Sequence, residues 1–461
     1  MYQKLVLKNS IILHIGIDDT DSPKGMCTTF LSYKIVKFLE KQKIEFVDYP
    51  SLIRFNPNIP WKTRGNGAVR LTIKTRNPNK IKKEIIQFIT NYSDTKNGAN
   101  PGLVFFQNES IPPSFHKFSR LALWKLISRK TAKEFVSNNK IDSFYLGNGQ
   151  GLVGAIGAIG YKFSDHTFEL LCYRKKSQFG KKRIINKHSV KKMQSITFPE
   201  TYNSFDNEND RVLITPHGPD PVFYGIRGES VKSVVLASTM VDTDEKLDGY
   251  MVFKSNQGTA DHLKNELQVN DLKPYTSGFL VGEVCSKPVT EQGGHVFFSI
   301  QVGDRKIRCG VYKQTKITKI AQDLIPGDKI RLGGGIRKAS KNYERVLNVE
   351  FLDVIKLEKN ILLTNPTCKT CNKKMKSKGN RQGFECFRCG NKSFSKSSLE
   401  IPRKIQCKLY LPVISAHRHL TRPYQRLKKR NKFEIFDTSL ESVSYTHLRA
   451  HETEADLVCR L

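Results

Sequence analysis

Residues 16–29 read G-I-D-D-T-D-S-P-K-G-M-C-T-T and follow an apolar run that begins at Ile11. The run has the length of a buried strand, and apolar residues from Phe30 to Leu39 recur at helical spacing, which predicts a strand, a polar loop and a helix. Carboxylates at a strand end, followed by small residues and a helix start, can hold a divalent metal and face a phosphate. A solvated turn with a Ser or Thr cap is the alternative at this point. The polar groups of the loop are the carboxylates of Asp18, Asp19 and Asp21 and the hydroxyls of Thr28 and Thr29.

The chain is long and strongly basic. Its 461 residues suggest roughly three domains. With 77 Lys and Arg against 43 Asp and Glu, the formal net charge is +34, which is unusual for an enzyme that acts on a neutral metabolite. A lysine-rich proteome would normally add Glu alongside Lys, so the excess favours a polyanionic partner, and nucleic acid is the partner we expect.

Cysteine usage and hydropathy indicate the compartment. Four of the ten cysteines form two C-x-x-C pairs and the others are scattered, which is not the pattern of a disulfide framework. No segment has the roughly twenty continuous apolar residues of a membrane span, and the start lacks the long apolar region of a signal peptide. We therefore expect a cytoplasmic protein with no membrane partner.

Two glycine-containing segments of the first 160 residues bear on the site. Residues 56–68, N-P-N-I-P-W-K-T-R-G-N-G-A, predict a loop that makes Lys62 and Arg64 available to phosphates. Residues 147–160, G-N-G-Q-G-L-V-G-A-I-G-A-I-G, either let a backbone approach a ligand or form a helix packed tightly on a sheet. Around them we expect a strand at 46–55 and helices at 80–92 and 121–138.

A third segment, residues 215–229, reads T-P-H-G-P-D-P-V-F-Y-G-I-R-G-E. Its prolines and glycines predict a rigid loop that holds His217, Asp220, Arg227 and Glu229. A small cationic substrate would use Asp220 or Glu229, and the alternative is a structural turn with a salt bridge.

The pattern changes to short strands between residues 275 and 356. Five apolar segments separated by Gly and Asp turns, with a short helical segment at 317–324, predict an OB-fold barrel that binds single-stranded nucleic acid. The segments are residues 278–285, 296–302, 305–311, 329–332 and 346–354.

The C-x-x-C pairs fall in residues 364–395, which we expect to form a zinc ribbon. Two pairs separated by fourteen residues offer four soft thiolate ligands for a tetrahedral metal, and so small a segment needs the metal to fold. A basic segment follows at 396–442. The predicted zinc ligands are Cys368, Cys371, Cys386 and Cys389.

The end of the chain has a different origin in our interpretation. Residues 443–453, V-S-Y-T-H-L-R-A-H-E-T, resemble one reading frame of a transposase-type sequencing adapter. We therefore expect residues 443–461 to be a sequencing artefact, with the last natural residue of this chain near Ser442.

The quoted loops, followed by an OB fold and a four-cysteine ribbon, strongly resemble the archaeal tRNA(Ile) 2-agmatinylcytidine synthetase family. The resemblance runs to about Arg422 and rests on G-I-D-D-T-D-S-P-K-G-M-C-T-T, N-P-N-I-P-W-K-T-R-G-N-G, G-P-D-P-V-F-Y-G-I-R-G-E and S-N-Q-G-T. It implies an α+β multidomain protein with an atypical kinase-like α/β catalytic domain at 1–140 and a ferredoxin-like α+β domain at 141–270. The OB-fold barrel at 275–356 and the zinc ribbon at 364–395 complete the implied fold.

The resemblance also implies a reaction. A ligase of this family uses ATP to activate the 2-carbonyl of the wobble cytidine of an isoleucine tRNA with a CAU anticodon, and agmatine displaces that oxygen. The product, agmatidine, pairs with A, so that the tRNA decodes AUA. Two alternatives stay open here: a non-catalytic nucleic-acid-binding protein built on the same OB and ribbon modules, and another ATP-dependent RNA-modifying enzyme.

Carried onto this sequence, the family pattern implies roles for individual residues. ATP and Mg2+ fall on the three aspartates of residues 16–29, and the phosphate-accepting threonine falls on Thr28. To these we add Lys24, Gly25 and Thr29 as cofactor-binding residues, and Lys24 is our own inference from its charge, which would neutralise the transferring phosphates. Agmatine is expected at the junction of the first two domains, with Asp220 and Glu229 as candidates. Besides tRNA and agmatine, no obligate protein partner is expected.

Overall fold

The computed structural model describes residues 10–341 and 345–431 and the backbone of residues 444–445. The chain divides into two compact units, one formed by residues 1–278 and 413–461 and the other by residues 279–412. Both are built from strands and helices, which confirms the mixed α+β class. The suspected adapter segment lies outside the described residues except for the two-residue strand β25 (Ser444–Tyr445).

The first unit contains one continuous sheet that runs through both the predicted catalytic and the predicted ferredoxin-like parts. Strand β1 (Ile11–Asp18) pairs antiparallel with β4 (Gly67–Thr75) and β5 (Gly102–Gln107). The short strand β3 (Ser51–Arg54) pairs antiparallel with β4 and parallel with β12 (Leu247–Ser255), which joins the two parts.

One edge of this sheet collects the ends of several strands. Strands β1, β3 and β12 run in the same direction, so Asp18, Arg54 and Ser255 all lie at their carboxyl ends. Strand β7 (Thr167–Arg174) runs antiparallel to β12, and its first residues therefore lie at the same edge. Strand β11 (Val222–Gly228) pairs with β7. Polar side chains from distant parts of the chain can meet at this edge for that reason.

Several helix and strand boundaries differ from the sequence prediction. The helix expected at 121–138 is two helices, α3 (Pro113–Trp124) and α4 (Arg129–Asn138), because Ser128 caps α4 by accepting a hydrogen bond from the Thr131 N–H at 3.0 Å. The expected strand 46–55 is split into β2 (Glu45–Phe46) and β3. Pro50, just before β3, has no N–H to donate to the sheet.

The segment at residues 147–160 contains a helix, which was one of its two interpretations from the sequence. Helix α5 (Gly151–Gly160) packs with its backbone against the sheet. A Cβ atom on Gly16 of β1 would lie 2.2 Å from the carbonyl oxygen of Ala155, and one on Gly154 would lie 1.9 Å from the Asp18 carboxylate. The glycines thus allow the close packing that holds Asp18 against the helix.

The core of the first unit forms between the sheet and its helices. Helices α1 (Thr28–Lys41) and α2 (Pro78–Tyr92) cover β1 and β4 with side chains such as Ile35 and Ile85, which are fully buried. The loop expected at 215–229 is shorter than predicted, since its second half is strand β11.

The remaining elements of this unit complete the sheet and cover it. They are β6 (Asp142–Tyr145), α6 (Lys187–Thr197), β8 (Thr201–Tyr202), β9 (Phe205–Asp206), β10 (Arg211–Val212) and α7 (Val231–Thr239). The strand order of the sheet is β6-β5-β1-β4-β3-β12-β7-β11-β8. The strands of the predicted parts lie side by side except for β6, which falls in 141–270 by sequence but pairs with β5 at the far end of the sheet.

The second unit begins with the predicted OB barrel. Its strands are β13 (Ser277–Val284), β15 (His295–Val302), β16 (Arg305–Val311), β17 (Lys329–Arg337) and β18 (Val346–Lys356), with β14 (Val289–Glu291), α8 (Thr318–Gln322) and β24 (Leu409–Tyr410) beside them. The five main strands close in the order β13-β15-β16-β18-β17, with β16 and β18 parallel and β13 next to both β15 and β17. This pairing has the connectivity of an OB fold.

A small ribbon follows the barrel. Strand β21 (Phe384–Glu385) pairs with β20 (Lys376–Ser377) and β22 (Lys392–Ser393), and β19 (Ile361–Thr364) pairs with β23 (Ser397–Glu400). Its apolar core is limited to Met375 and Phe384 beside the cysteines. Among the helices of residues 10–341 and 345–431, none is both long enough and apolar enough for a membrane span.

Candidate active site

A cavity of about 690 Å³ opens at the sheet edge of the first unit. Its walls come from the carboxyl end of β1, the start of α1, the loop at residues 56–68 and the segment before β11. Of the site residues predicted from the sequence, the cavity brings together Asp18, Asp19, Asp21, Thr28, Thr29 and Asp220.

Asp18 and Asp19 place two buried carboxylates in the cavity wall, and the strongest electrostatic effects on them come from burial and from other carboxylates. Burial and then the neighbouring Asp19 raise the pKa of Asp18 well above its ordinary value. Burial and then Asp21 raise the pKa of Asp19 to about 7. Carboxylates in such surroundings are stable when they share a proton or face a cation.

Asp21 has different partners from its two neighbours. Its Oδ2 accepts hydrogen bonds from the Thr63 hydroxyl at 3.0 Å and from the Arg64 guanidinium. Burial raises the pKa of Asp21, while Arg64 acts in the opposite direction. The loop at residues 56–68 therefore supplies a countercharge for Asp21 instead of leaving Arg64 free for phosphate.

Thr28 and Thr29 begin helix α1 and are buried at the cavity wall. The Thr28 hydroxyl accepts hydrogen bonds from the N–H and the hydroxyl of Thr20 at 3.4 and 3.1 Å, and donates to Asp21 Oδ1 at 3.4 Å. The first N–H groups of a helix have no intrahelical partner and carry partial positive charge, so this wall suits a phosphate.

Asp220 faces Arg64 from the other side of the cavity. Its Oδ2 lies 3.5 Å from Arg64 Nε, and within the described part of the chain this oxygen has no hydrogen-bond partner. Arg183 fixes the loop before β11 by donating to the carbonyl oxygens of Gly218 and Asp220, each at 2.8 Å. Asp220 is 2% exposed and held rigidly, and its carboxylate lies between the guanidinium groups of Arg64 and Arg183.

Three other predicted residues lie outside the cavity wall. Lys24 and Gly25 occupy a tight turn in which the Gly25 N–H and the Ser22 N–H each donate to the other residue's carbonyl oxygen, and the Lys24 side chain is exposed. The Glu229 carboxylate accepts from Arg426 Nε at 2.7 Å and from Asn431 Nδ2 at 2.9 Å. Both oxygens of Glu229 are therefore bound by the C-terminal segment, one in an ion pair with Arg426 and the other in a hydrogen bond from Asn431.

The cavity also contains a cluster of charged residues that was only partly predicted from the sequence. Glu169 of β7 accepts from Arg54 Nη2 at 3.4 Å and from Arg227 Nε at 3.2 Å. His419, from the far end of the chain, lies with its Nδ1 3.0 Å from Arg227 Nη2. Glu169 could have been predicted as a functional residue, because it is a single Glu in the buried strand T-F-E-L-L-C-Y-R. The sequence around Arg54 and His419 contains no comparable pattern.

The predicted zinc ligands converge in the second unit. The sulfur atoms of the four cysteines all lie within 4.8 Å of one another, with the Cys368 and Cys389 sulfurs 3.5 Å apart. Four thiolates at such distances suit a tetrahedral structural zinc. Within the described residues, this is the one group of three or more His, Cys, Asp or Glu that is close enough to hold a metal, so the three aspartates do not converge on a single point.

An acid-lined cavity at a helix start in one unit, with an OB barrel and a zinc-binding ribbon in the other, defines the class: a nucleotide-using enzyme that acts on nucleic acid. Family models match the chain as the TiaS TCKD domain at residues 14–82, the TiaS FLD domain at 149–262 and the TiaS C-terminal zinc ribbon domain at 365–405. The isoleucine-tRNA 2-agmatinylcytidine synthetase TiaS of Cenarchaeum symbiosum is 48% identical over 423 residues, which cover 92% of this chain and 94% of the relative. The chain therefore belongs to the TiaS family of isoleucine-tRNA 2-agmatinylcytidine synthetases.

Other relatives and solved structures agree. The TiaS of Thermococcus sibiricus is 39% identical and matches 89% of this chain and 95% of its own length. The crystal structure of TiaS in complex with its isoleucine tRNA and ATP has a TM-score of 0.82 at 31% identity and covers 93% of this chain and 100% of that chain. A complex of TiaS with the same tRNA, AMPCPP and agmatine has a TM-score of 0.80 at 30% identity, with the same coverage. The family resemblance predicted from the sequence is confirmed.

Proposed function

We propose that this chain uses ATP to join agmatine to the wobble cytidine of an isoleucine tRNA with a CAU anticodon, and that the reaction takes place in the cavity at the sheet edge. The observation that carries the proposal is that this one cavity joins a carboxylate pair, the start of a helix and the buried carboxylate of Asp220. Relatives that bind isoleucine tRNA, ATP or its analogue, and agmatine support the choice of substrates. The product pairs with A, so the tRNA decodes AUA, and we place the reaction in the cytoplasm.

Asp18 and Asp19 are the residues that would hold Mg2+. Carboxylate oxygens are the donors that this hard cation prefers, and burial of both groups beside other carboxylates is the electrostatic setting that a cation relieves. When bound, Mg2+ supplies neutralisation of phosphate charge. Asp21 is already bound to Arg64 and Thr63, so its role in this proposal is to orient the Thr28 hydroxyl.

Thr28 is the hydroxyl that we assign to phosphate handling. It lies at the start of α1, where the backbone N–H groups favour phosphate, and its proton points to Asp21. Thr29 lines the same wall. Nucleotide contact by Lys24 and Gly25 stays a prediction, because neither residue lines the cavity.

Asp220 is the carboxylate that we assign to the cationic substrate. Agmatine carries two positive charges, and a carboxylate in a cavity of low dielectric binds such a charge better than a solvated one. Asp220 lines the cavity beside Arg64, whereas Glu229 lies outside the cavity wall and is bound by Arg426 and Asn431. We therefore favour Asp220 over Glu229 as the agmatine ligand.

The test combines the tRNA transcript, ATP and agmatine with the full chain. We expect AMP release and a 2-agmatinylcytidine nucleoside by mass spectrometry, both requiring agmatine and a wobble C. Asp18→Asn and Asp19→Asn should abolish AMP release, whereas Asp220→Asn should raise the KM for agmatine by about tenfold or more with little effect on the KM for ATP. Asp248→Asn is the matched control, since Asp248 pairs with Lys34 outside the cavity wall.

Other outcomes would identify other functions. AMP release that does not depend on agmatine or on the wobble base would contradict this proposal. A product of different mass would indicate another ATP-dependent RNA-modifying enzyme. Full tRNA affinity without any ATP consumption would indicate a nucleic-acid-binding protein.

A further inference from the structure

Two arginines in the cavity share one carboxylate. Arg54 and Arg227 both contact Glu169, whose side chain is 3% exposed, while the arginine side chains are 12% and 22% exposed. Gln257 also donates to Glu169, so the carboxylate is fully occupied. The cluster thus buries two positive charges against one negative charge.

The neighbouring groups do not remove this excess charge. Burial, together with Arg54 and Arg227, lowers the pKa of His419 well below its ordinary value, so its ring is neutral. Arg54 Nε is buried and has no hydrogen-bond partner among the described residues. A site with one excess positive charge and one unused hydrogen-bond donor favours the binding of an anion.

Glycines in the loop at residues 56–68 leave room for this site. A Cβ atom on Gly65 would lie 2.6 Å from Arg54 Nη1, and one on Gly67 would lie 2.9 Å from it. The Arg54 guanidinium therefore lies against bare backbone and, like Arg227, at the cavity wall.

The arginines and the acidic residues occupy different parts of the same edge. Asp18 ends β1 and Arg54 ends β3, with β4 between them, and two strand spacings amount to about 10 Å. Glu169 and Arg227 lie on β7 and β11, farther along the sheet. The arginine pair thus comes from other strands than the carboxylate pair, within the same cavity.

We infer that Arg54 and Arg227 form a subsite for a dianionic phosphoryl group, namely the phosphate carried by O2 of the activated cytosine. This inference rests on the proposed function. Guanidinium groups bind phosphate oxygens through paired N–H donors, and they stabilise the charge that collects on a leaving phosphate. Glu169 acts as the positioning residue that holds Arg227 in place.

The step that the subsite serves is the displacement by agmatine. The amine nitrogen of agmatine forms a bond to C2, and the bond between C2 and O2 breaks with its electron pair remaining on O2. Inorganic phosphate leaves with that oxygen, and the amine proton passes to water. The leaving phosphate is the species that the arginine pair binds.

Inorganic phosphate is therefore the probe. We would titrate the full chain with phosphate and, separately, with a non-hydrolysable ATP analogue. Arg54→Gln and Arg227→Gln should each weaken phosphate binding by about tenfold or more while leaving the affinity for the analogue unchanged. Arg227→Lys should give an intermediate phosphate affinity, because lysine keeps the charge but not the paired donors. Arg331→Gln, at an exposed ion pair with Asp353, is the matched control and should change neither affinity.

Glu169→Gln provides a test of opposite sign. Removing the single negative charge should strengthen phosphate binding, whereas a purely structural Glu169 would give no gain. In turnover, Arg227→Lys should lower kcat and leave the KM values for ATP and agmatine near those of the unmodified chain.

Two results would overturn the inference. One is phosphate binding that is unchanged in both glutamine variants and in Arg227→Lys. The other is a parallel loss of analogue binding, which would assign the arginines to the phosphates of ATP. Failure of the proposed function would instead appear as absence of agmatine-dependent product from the unmodified chain.

Discussion

Asp18 and Asp21 are three residues apart, yet their surroundings differ. Arg64 and Thr63 bind Asp21, whereas Asp18 lies against Gly154 and beside Asp19. An aspartate is thus held by hydrogen bonds at position 21, where we propose that it orients Thr28. At position 18 it lies beside another carboxylate, where we propose that it faces a cation. The sequence motif D-D-T-D does not distinguish these roles, because Arg64 comes from a loop more than forty residues away.

His14 gives a prediction for pH at the scale of one residue. It lies on β1, accepts from the Thr72 hydroxyl through Nδ1 at 3.1 Å and donates from Nε2 to the Asn108 carbonyl at 3.0 Å. Burial, then Arg70, lowers its pKa to about 4 from 6.5. Below pH 6.5 the unfolded chain protonates this histidine while the folded chain does not, so we expect the contribution of His14 to stability to fall as the pH drops from 6.5 to 4, by at most about 3 kcal/mol.

Tryptophan fluorescence can measure this effect, because the chain has two tryptophans, Trp61 and Trp124, and both belong to the first unit. The raised pKa values of Asp18 and Asp19 change stability in the opposite direction over this range, so the share of His14 is measured as the difference between two variants. On acidification from about pH 7 to about pH 4.5, the urea midpoint of His14→Gln, which keeps a donor to Asn108 but does not titrate, should fall less or rise more than that of the unmodified chain. His188→Gln, at an exposed position, should follow the unmodified chain. An unchanged slope in His14→Gln would contradict the assignment.

Helix α5 sets the position of the Asp18 carboxylate, which we propose to hold Mg2+. A Cβ atom on Gly154 would lie 1.9 Å from Asp18 Oδ2, so Gly154→Ala must displace the carboxylate. We expect ATP consumption to fall by about 10- to 100-fold, since small displacements of reacting groups are costly. The free energy of unfolding should also fall, by about 1–3 kcal/mol, because the added methyl group overpacks a buried contact, so activity is compared at a temperature where both proteins are folded. Val153→Ala on the same helix is the control, and full activity of Gly154→Ala would refute the proposed role of α5.

The C-terminal segment at residues 413–431 is a second element with a measurable effect. Arg426 is fully buried and binds Glu229 at 2.7 Å and Asp165 at 2.9 Å. Arg426→Met leaves buried carboxylates with less countercharge, and we expect a loss of about 3–5 kcal/mol in the free energy of unfolding of the first unit. Urea unfolding followed by tryptophan fluorescence checks this. Lys429→Ala, which removes the half-exposed pair with Glu200, should cost about 0–1 kcal/mol; equal losses would mean that Arg426 has no special role.

Local patterns predicted some elements well and others not at all. The strand and helix around residues 16–29, the OB strands and the four zinc ligands follow from periodicity and spacing over short distances. The partners of Glu229 and Glu169 do not, because Arg426 and Arg54 reach them only after the chain has folded. Breaks such as the one before α4 depend on a single cap, Ser128, which periodicity alone does not reveal.

Charge acts at the scale of the whole molecule. The net charge of +34 far exceeds what the cavity requires, since its acidic and basic residues nearly balance. The excess positive charge therefore lies elsewhere on the chain, including the lysine-rich ribbon around the four cysteines. Such a distribution favours binding to the phosphates of tRNA over many contacts.

Salt dependence separates this whole-molecule effect from recognition in the cavity. If the chain neutralises about 6–10 phosphates, its affinity for tRNA should fall by about 10³-fold or more between about 50 and 200 mM salt. Affinity for a small ATP analogue should change far less. A tRNA with another wobble base should show the same slope with a lower affinity, because phosphate contacts carry no sequence information. Filter binding over a salt series measures both quantities, and a slope that changes with the wobble base would mean that the base, rather than the backbone, determines the electrostatic contacts.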